Sequence, residues 1–196
     1  MKKIVGLSLA FVSVISITIP SSTFAANHYD TFGGKLTGGV GNWGKSTQYY
    51  WIDSSASGES SRINSSMSAW VHTGKIVSTP IPFRNTSNKP SSVIDIYKGN
   101  YYPRSSGILG ETKFYRSGSQ IDPSSNYSWA KIQLNSSSFD SLNTYHKSGT
   151  IAHEMGHAFG LAHNNYEGDS IMCQFGSGRT VNTPDSGSLY GINSLY

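Results

Sequence analysis

His153-Glu154-Met155-Gly156-His157-Ala158-Phe159-Gly160-Leu161-Ala162-His163 is the stretch on which the reading of this 196-residue chain turns. It spells H-E-x-x-H-x-x-G-x-x-H, and each fixed position has its own physical task. Residues four apart lie on one helix face, one turn from each other. His153 and His157 can therefore aim two imidazole nitrogens at one ion. Glu154 leaves the same face slightly to one side, where it reaches a water on that ion without being a ligand itself. Gly160 is expected to stop the helix, because glycine takes the left-handed conformation of a C-terminal turn at no steric cost. The chain then turns and brings in His163 as a third ligand. Three neutral imidazoles with one open position suit a catalytic zinc, whereas a structural zinc is closed by four protein ligands.

The opposite face of the same helix supports this reading. Ile151, Met155, Ala158 and Ala162 recur at helical spacing, so the segment has a core side as well as a ligand side. Downstream, Ser170-Ile171-Met172-Cys173 follows His163 after a short polar loop.

With these residues quoted, the chain resembles the metzincin zinc metalloproteases, in which a methionine-containing turn follows the third histidine. The wording His-Ala-Phe-Gly-Leu-Ala-His is similar to the matrixin branch, the family of the matrix metalloproteinases. The likeness extends over most of residues 40–196 and is sharp at 153–173. It implies an α+β metzincin-like catalytic domain: a twisted mixed sheet with two long helices in an N-terminal lobe, and a small C-terminal lobe with the Met turn and a terminal helix. It also implies zinc on His153, His157 and His163, Glu154 as general base and acid, and Met172 as the floor beneath the metal. Gly107-Ile108-Leu109-Gly110 resembles the start of the family's edge strand, which implies that an extended polypeptide substrate lies over residues 108–114, with Ile108, Leu109, Gly110 and Glu111 as its binding residues.

The beginning of the chain reads as an export signal. Lys2 and Lys3 precede an apolar run over 4–19, diluted by Ser8, Ser13, Ser16 and Thr18. Pro20 and the small-residue exit Thr23-Phe24-Ala25-Ala26 follow. This is a signal peptide over 1–25, cut after Ala25, and it predicts a secreted, extracellular protein with no membrane anchor after cleavage. The run is short for spanning a bilayer, and no other stretch is long enough. Without Lys2 and Lys3, 13 Lys and Arg stand against 11 Asp and Glu, with no basic run, so nothing points to nucleic acid. Cys173 is the one cysteine, which excludes an internal disulfide and favours a packed thiol.

Residues 26–44 are Gly-rich and without periodicity, a short leader before a catalytic domain over 45–196. Thr47-Gln48-Tyr49-Tyr50-Trp51-Ile52-Asp53 reads as a strand. Ile63, Met67, Trp70 and Val71 predict an amphipathic helix ending by Gly74. A brief strand near Phe83, strands over 93–97 and 108–115, and the strictly alternating Trp129-Ala130-Lys131-Ile132-Gln133-Leu134-Asn135 follow. The ligand helix should begin near Ser141. Thr183-Pro184-Asp185 predicts a last helix capped by Thr183, with Leu189, Ile192 and Tyr196 on its apolar face.

Some positions depart from the matrixin pattern. The family's latency cysteine has no counterpart in 26–44, so that form of latency is expected to be absent. Cys173-Gln174-Phe175-Gly176 replaces the family's Pro- and Tyr-bearing pocket wall, and pocket preference does not carry over. Glu111 stands about where the structural-zinc histidine would fall, which leaves one catalytic zinc as the expectation. Calcium bound through Asp residues and carbonyls stays open, since no loop has the required density. His28, His72 and His146 read as surface or structural residues, and Tyr190 and Tyr196 as packing rather than oxyanion donors. The function expected is hydrolysis of extracellular polypeptides by a monomeric zinc endopeptidase. The alternatives are a binding module on the same scaffold and a zinc hydrolase of non-peptide amides.

Overall fold

Alternation decides the centre of the structure, a computed structural model that describes residues 28–41 and 47–196; the expected signal peptide lies outside the described residues. Trp129–Asn135 buries Ala130, Ile132 and Leu134 completely on one face. Five other strands assemble with it: β1 (Gln48–Ile52), β2 (Phe83–Asn85), β3 (Ile94–Gly99), β4 (Gly110–Arg116) and β5 (Ser119–Ile121), Trp129–Asn135 itself being β6. The sheet order is β2-β1-β3-β6-β4-β5. The first four strands run parallel, and β4 and β5 are antiparallel to their neighbours, giving a mixed sheet.

Among the described residues four α-helices complete an α+β fold: α1 (Ser60–Val71), α2 (Ser136–Phe139), α3 (Thr144–Ala158) and α4 (Ser186–Leu195). Ile63, Met67 and Trp70 of α1 and Ile151, Met155 and Ala158 of α3 are buried in one core with Ile94, Ile96 and Ile132 of the sheet. The Trp70 indole N–H donates to the Ala152 carbonyl at 3.0 Å, which fixes how α1 lies along α3. Leu189 and Ile192 of α4 close the same core. Among the described residues no helix is long and apolar enough to cross a membrane.

Several boundaries differ from expectation for local reasons. The ligand helix begins at Thr144, not near Ser141, because the Asn143 side chain caps it by accepting the His146 N–H at 2.9 Å. Ala162 lies beyond the end of α3 and is only half-buried, so it does not belong to the helical stripe. The last helix is capped by Asp185 rather than Thr183, since the Asp185 carboxylate accepts the Ser188 N–H at 2.9 Å. The β4–β5 hairpin was not foreseen; its turn residues Ser117 and Gly118 take φ of 52° and 81°, as a two-residue primed turn requires. That hairpin also corrects the edge-strand expectation. β4 is bonded to β6 over Gly110 to Tyr115 but to β5 only from Phe114 onward, so only its first half has a free edge.

The described part of the expected leader, residues 28–41, is bonded into this body. Leu36 and Val40 are buried in the core. The Phe32 N–H donates to the Gly160 carbonyl at 3.0 Å, and the Ala162 N–H to the Asp30 carbonyl at 2.9 Å.

Candidate metal centre

The end of α3 is an unusually complete piece of hydrogen bonding. A helix leaves its last carbonyls without intrahelical partners, and here each has one. Tyr127 donates to the Ala158 carbonyl at 2.9 Å, and Tyr196 to the Phe159 carbonyl at 3.1 Å. The N–H groups of Phe159 and Leu161 serve the Gly156 carbonyl, and Gly160 N–H serves His157. Gly160 itself sits at φ 104°, the left-handed exit that the sequence required. The chain therefore leaves the helix in a fixed direction and returns His163 to the ligand face. Tyr196 is consumed by this task, and also accepts the Leu36 N–H at 2.8 Å. Tyr196 is a structural residue here.

His153, His157 and His163 come together, each offering one ligand atom, and these atoms all lie within 4.8 Å of one another. His153 and His157 are buried, and His163 opens to solvent. The Nδ1 of His153 lies 2.8 Å from the Ile171 carbonyl, and the Nδ1 of His157 lies 2.8 Å from the Leu161 carbonyl. Each Nδ1 must carry the proton to donate there, which leaves Nε2 with its lone pair free for a cation. The Nε2 atoms of His157 and His163 stand 3.1 Å apart. Two nitrogens held about 2.0–2.1 Å from a tetrahedral zinc would be separated by roughly 3.3 Å. Burial drives all three imidazoles below their ordinary pKa, His153 far below and His157 to about 3, so they are neutral at ordinary pH. Three neutral, convergent imidazoles, two of them fixed in tautomer, fit a zinc ion on chemical grounds.

Glu154 lies beside this cluster, 5% exposed, and burial raises its carboxyl from 4.5 to about 7. Two neighbours oppose that rise, the Thr112 hydroxyl and the Arg179 charge. Thr112 Oγ1 is 2.8 Å from Glu154 Oε2 and 3.0 Å from the Glu154 carbonyl. Gly110 makes room for the carboxylate, since a Cβ there would stand 2.9 Å from both Cγ and Oε1. Met172 is buried with its sulfur against Gly156, between the two helical histidines. Cys173 is fully buried and free, and burial raises its thiol, so it is packing.

Gly110, Thr112, Glu154 and the three histidines open into one cleft of about 1240 Å³. Ile108, Leu109, Gly110 and Glu111 line it, as do the three histidines and Glu154. Glu111 accepts from Tyr102 at 2.5 Å and pairs with Lys113 at 3.3 Å. His28, His72 and His146 stand outside the cluster. The sequence reading missed three residues of the site. Thr112 follows the quoted edge residues by one position and was legible only as a strand residue. Phe32, 5.4 Å from the His157 ring, and Arg179, a buried guanidinium in the cleft wall, carried no motif signal. Comparison with protein-family models finds no match, and comparison with the curated proteins finds none either.

Proposed function

We propose that the chain is an exported zinc endopeptidase of the metzincin type, matrixin-like, acting as a monomer on extracellular polypeptides. One observation carries the reading: three convergent neutral imidazoles beside a buried carboxylate, all opening into a long cleft. The fold supports it through the order of parts, a mixed sheet with two long helices, then Met172 packed against Gly156 of α3 and α4 closing the core.

His153, His157 and His163 would hold the zinc, which when bound supplies Lewis-acid polarisation of the scissile carbonyl and acidifies water. Glu154 then removes the proton from the attacking water and delivers it to the departing amine nitrogen. A carboxyl poised near 7 suits both transfers. Thr112 holds Oε2, so one oxygen of Glu154 is oriented and the other is left to work. The free edge of β4 over residues 110–113 offers backbone groups to an extended peptide, which aligns the scissile bond over the histidines.

The test needs three proteins, one metal analysis and one casein zymogram with and without a chelator. The unaltered protein should hold about one zinc per chain and clear casein only without chelator. Glu154→Gln should keep its zinc and fold but lose roughly 10²–10⁴ or more in rate. His163→Ala should lose zinc and activity together. A Gln variant that retained most of its activity would remove Glu154 from the mechanism. Failure of the zinc-loaded protein to cleave any protein would favour a binding module.

A further inference from the structure

Arg179 is 6% exposed, yet no carboxylate among the described residues comes within ion-pair distance of it. Its guanidinium makes two side-chain hydrogen bonds, both to neutral acceptors, the Cys173 carbonyl at 3.2 Å and Thr150 Oγ1 at 3.3 Å. The Glu154 charge reaches it without contact; a buried cation with no carboxylate in contact is costly, and guanidinium carries five donors in a planar fork. Arg179 packs against α3 at Gly149, where a Cβ would meet the Val181 carbonyl at 3.1 Å and Arg179 Nε at 3.4 Å. Arg179 also lines the cleft that holds the histidines and Glu154. A second polar group of the same cleft lacks a partner: Ser138 Oγ is buried and unbonded. Thr150, which Arg179 touches, precedes Glu154 by four residues, about one helical turn or 6 Å. An extended substrate advances about 3.3 Å per residue, so this distance reaches a side chain next to the scissile bond.

We propose that Arg179 is a specificity-determining residue, making the cleft select a carboxylate-bearing side chain, Glu or Asp, at a position adjoining the scissile bond. This rests on the peptidase reading above. The substrate carboxylate supplies the contacting counter-ion that the fold withholds, accepting from the guanidinium. A pocket built around apolar side chains would have no use for an unpaired buried cation at its wall.

The experiment uses matched peptides that differ only in carrying Glu, Gln, Leu or Lys at each position flanking the cut. At one flanking position Glu should exceed Gln in kcat/KM by roughly ten- to a hundredfold, the range of one charge-assisted hydrogen-bonded pair. Arg179→Gln should abolish that ratio and Arg179→Lys should keep part of it. The ratio is read within each protein, so a general loss of folded material leaves it unchanged. A second readout is calorimetric binding of the Glu and Gln peptides to the zinc-loaded Glu154→Gln variant, which should favour Glu by a similar factor. Preference for Leu at both positions, or a Glu/Gln ratio near one, would overturn the inference and leave the peptidase reading standing. No cleavage of any peptide, with tighter binding of the Glu peptide, would overturn the peptidase reading and support the carboxylate pocket.

Discussion

The backbone N–H of Ile171 donates to the Asp185 carboxylate at 2.8 Å, while the carbonyl of the same Ile171 lies 2.8 Å from Nδ1 of His153. One residue thus links the start of α4 to a histidine of the cluster. Asp185 also accepts the Ser188 N–H at 2.9 Å and the Ser188 hydroxyl at 2.7 Å, so a single side chain caps the helix and anchors the Met172 turn. The imidazole orientation is inherited from the helix cap through two hydrogen bonds.

Asp185→Ala should therefore cost both stability and metal affinity. Losing the cap costs about 0.5–2 kcal/mol, and the stranded Ile171 N–H adds about 1 kcal/mol or more. Outer-shell changes lower metal affinity by about 10- to 100-fold, and the lower end is expected because Asp185 acts through Ile171. Urea unfolding and zinc titration against a competing chelator measure the two effects. Unchanged zinc affinity would show that the Ile171 carbonyl holds its place without Asp185.

The pH dependence of the metal-free protein follows from burial. His157 titrates at about 3 when folded and near 6.5 when unfolded, so it contributes stability above pH 6.5 that is lost as pH falls toward 3. His153 and His163 are depressed too and act with the same sign. Glu154 acts oppositely. Held at about 7 instead of 4.5, it contributes stability below pH 4.5 that is lost as pH rises through 7. With metal removed, stability should fall from pH 6.5 downward, and Glu154→Gln should steepen that slope between pH 4.5 and 6.5. Denaturant midpoints across pH 3.5–7.5 test this, and a variant slope no steeper than wild type would contradict the burial of the carboxyl.

Tyr127→Phe probes the end of the ligand helix. The ring is fully buried against Phe114, and its hydroxyl is the partner of the Ala158 carbonyl. Removing one partner of a buried pair costs about 1–3 kcal/mol. His163 lies beyond that carbonyl, so zinc affinity should fall along with the unfolding midpoint. Loss of stability with affinity intact would mean that Gly160 alone directs the return of His163.

Thr112→Val isolates the hydroxyl from its packing. The Thr112 bond holds the Glu154 carboxyl down, so its removal leaves burial less opposed and moves that group upward. The base must be ionised to work, hence the acid limb of the kcat/KM profile should shift to higher pH. An unshifted limb with a reduced plateau would assign Thr112 to positioning alone.

How much of this was legible in the sequence depends on how far apart the cooperating residues lie. The ligand histidines, Glu154 and the Gly160 exit are set by spacing within one helix and its turn, and β6 by strict alternation. Those signals are local and survive without knowledge of the fold. Asp185 reaching Ile171, Tyr127 reaching Ala158 and Phe32 bonding Gly160 are joined only by the tertiary fold. None has a period or motif. Arg179 was invisible for a further reason: an arginine after a glycine in a polar loop reads as surface, and only packing against α3 buries it.

Gly156→Ala sets two opposing magnitudes against each other. Replacing glycine in a helix interior by alanine ordinarily stabilises by about 0.5–1 kcal/mol. Here a Cβ would run into Met172 Sδ and stand 3.2 Å from Trp70 Cζ2. Trp70 is fully buried and held by its bond to Ala152, so it cannot give way. Met172 is flexible but adjoins Ile171, and moving it shifts the turn that carries the Ile171 carbonyl. Overpacking costs about 1–3 kcal/mol, which outweighs the propensity gain. The variant should lose roughly 1 kcal/mol of stability, near the middle of the ~0–2.5 kcal/mol that this difference spans, with a weaker hold on zinc. Met172→Ala should relieve the clash, so the double variant should be more stable than the two single losses predict. Denaturant unfolding of the four proteins closes the cycle. Strict additivity would mean that Gly156 and Met172 do not press on each other, and the close approach of turn to ligand helix would no longer explain why glycine stands there.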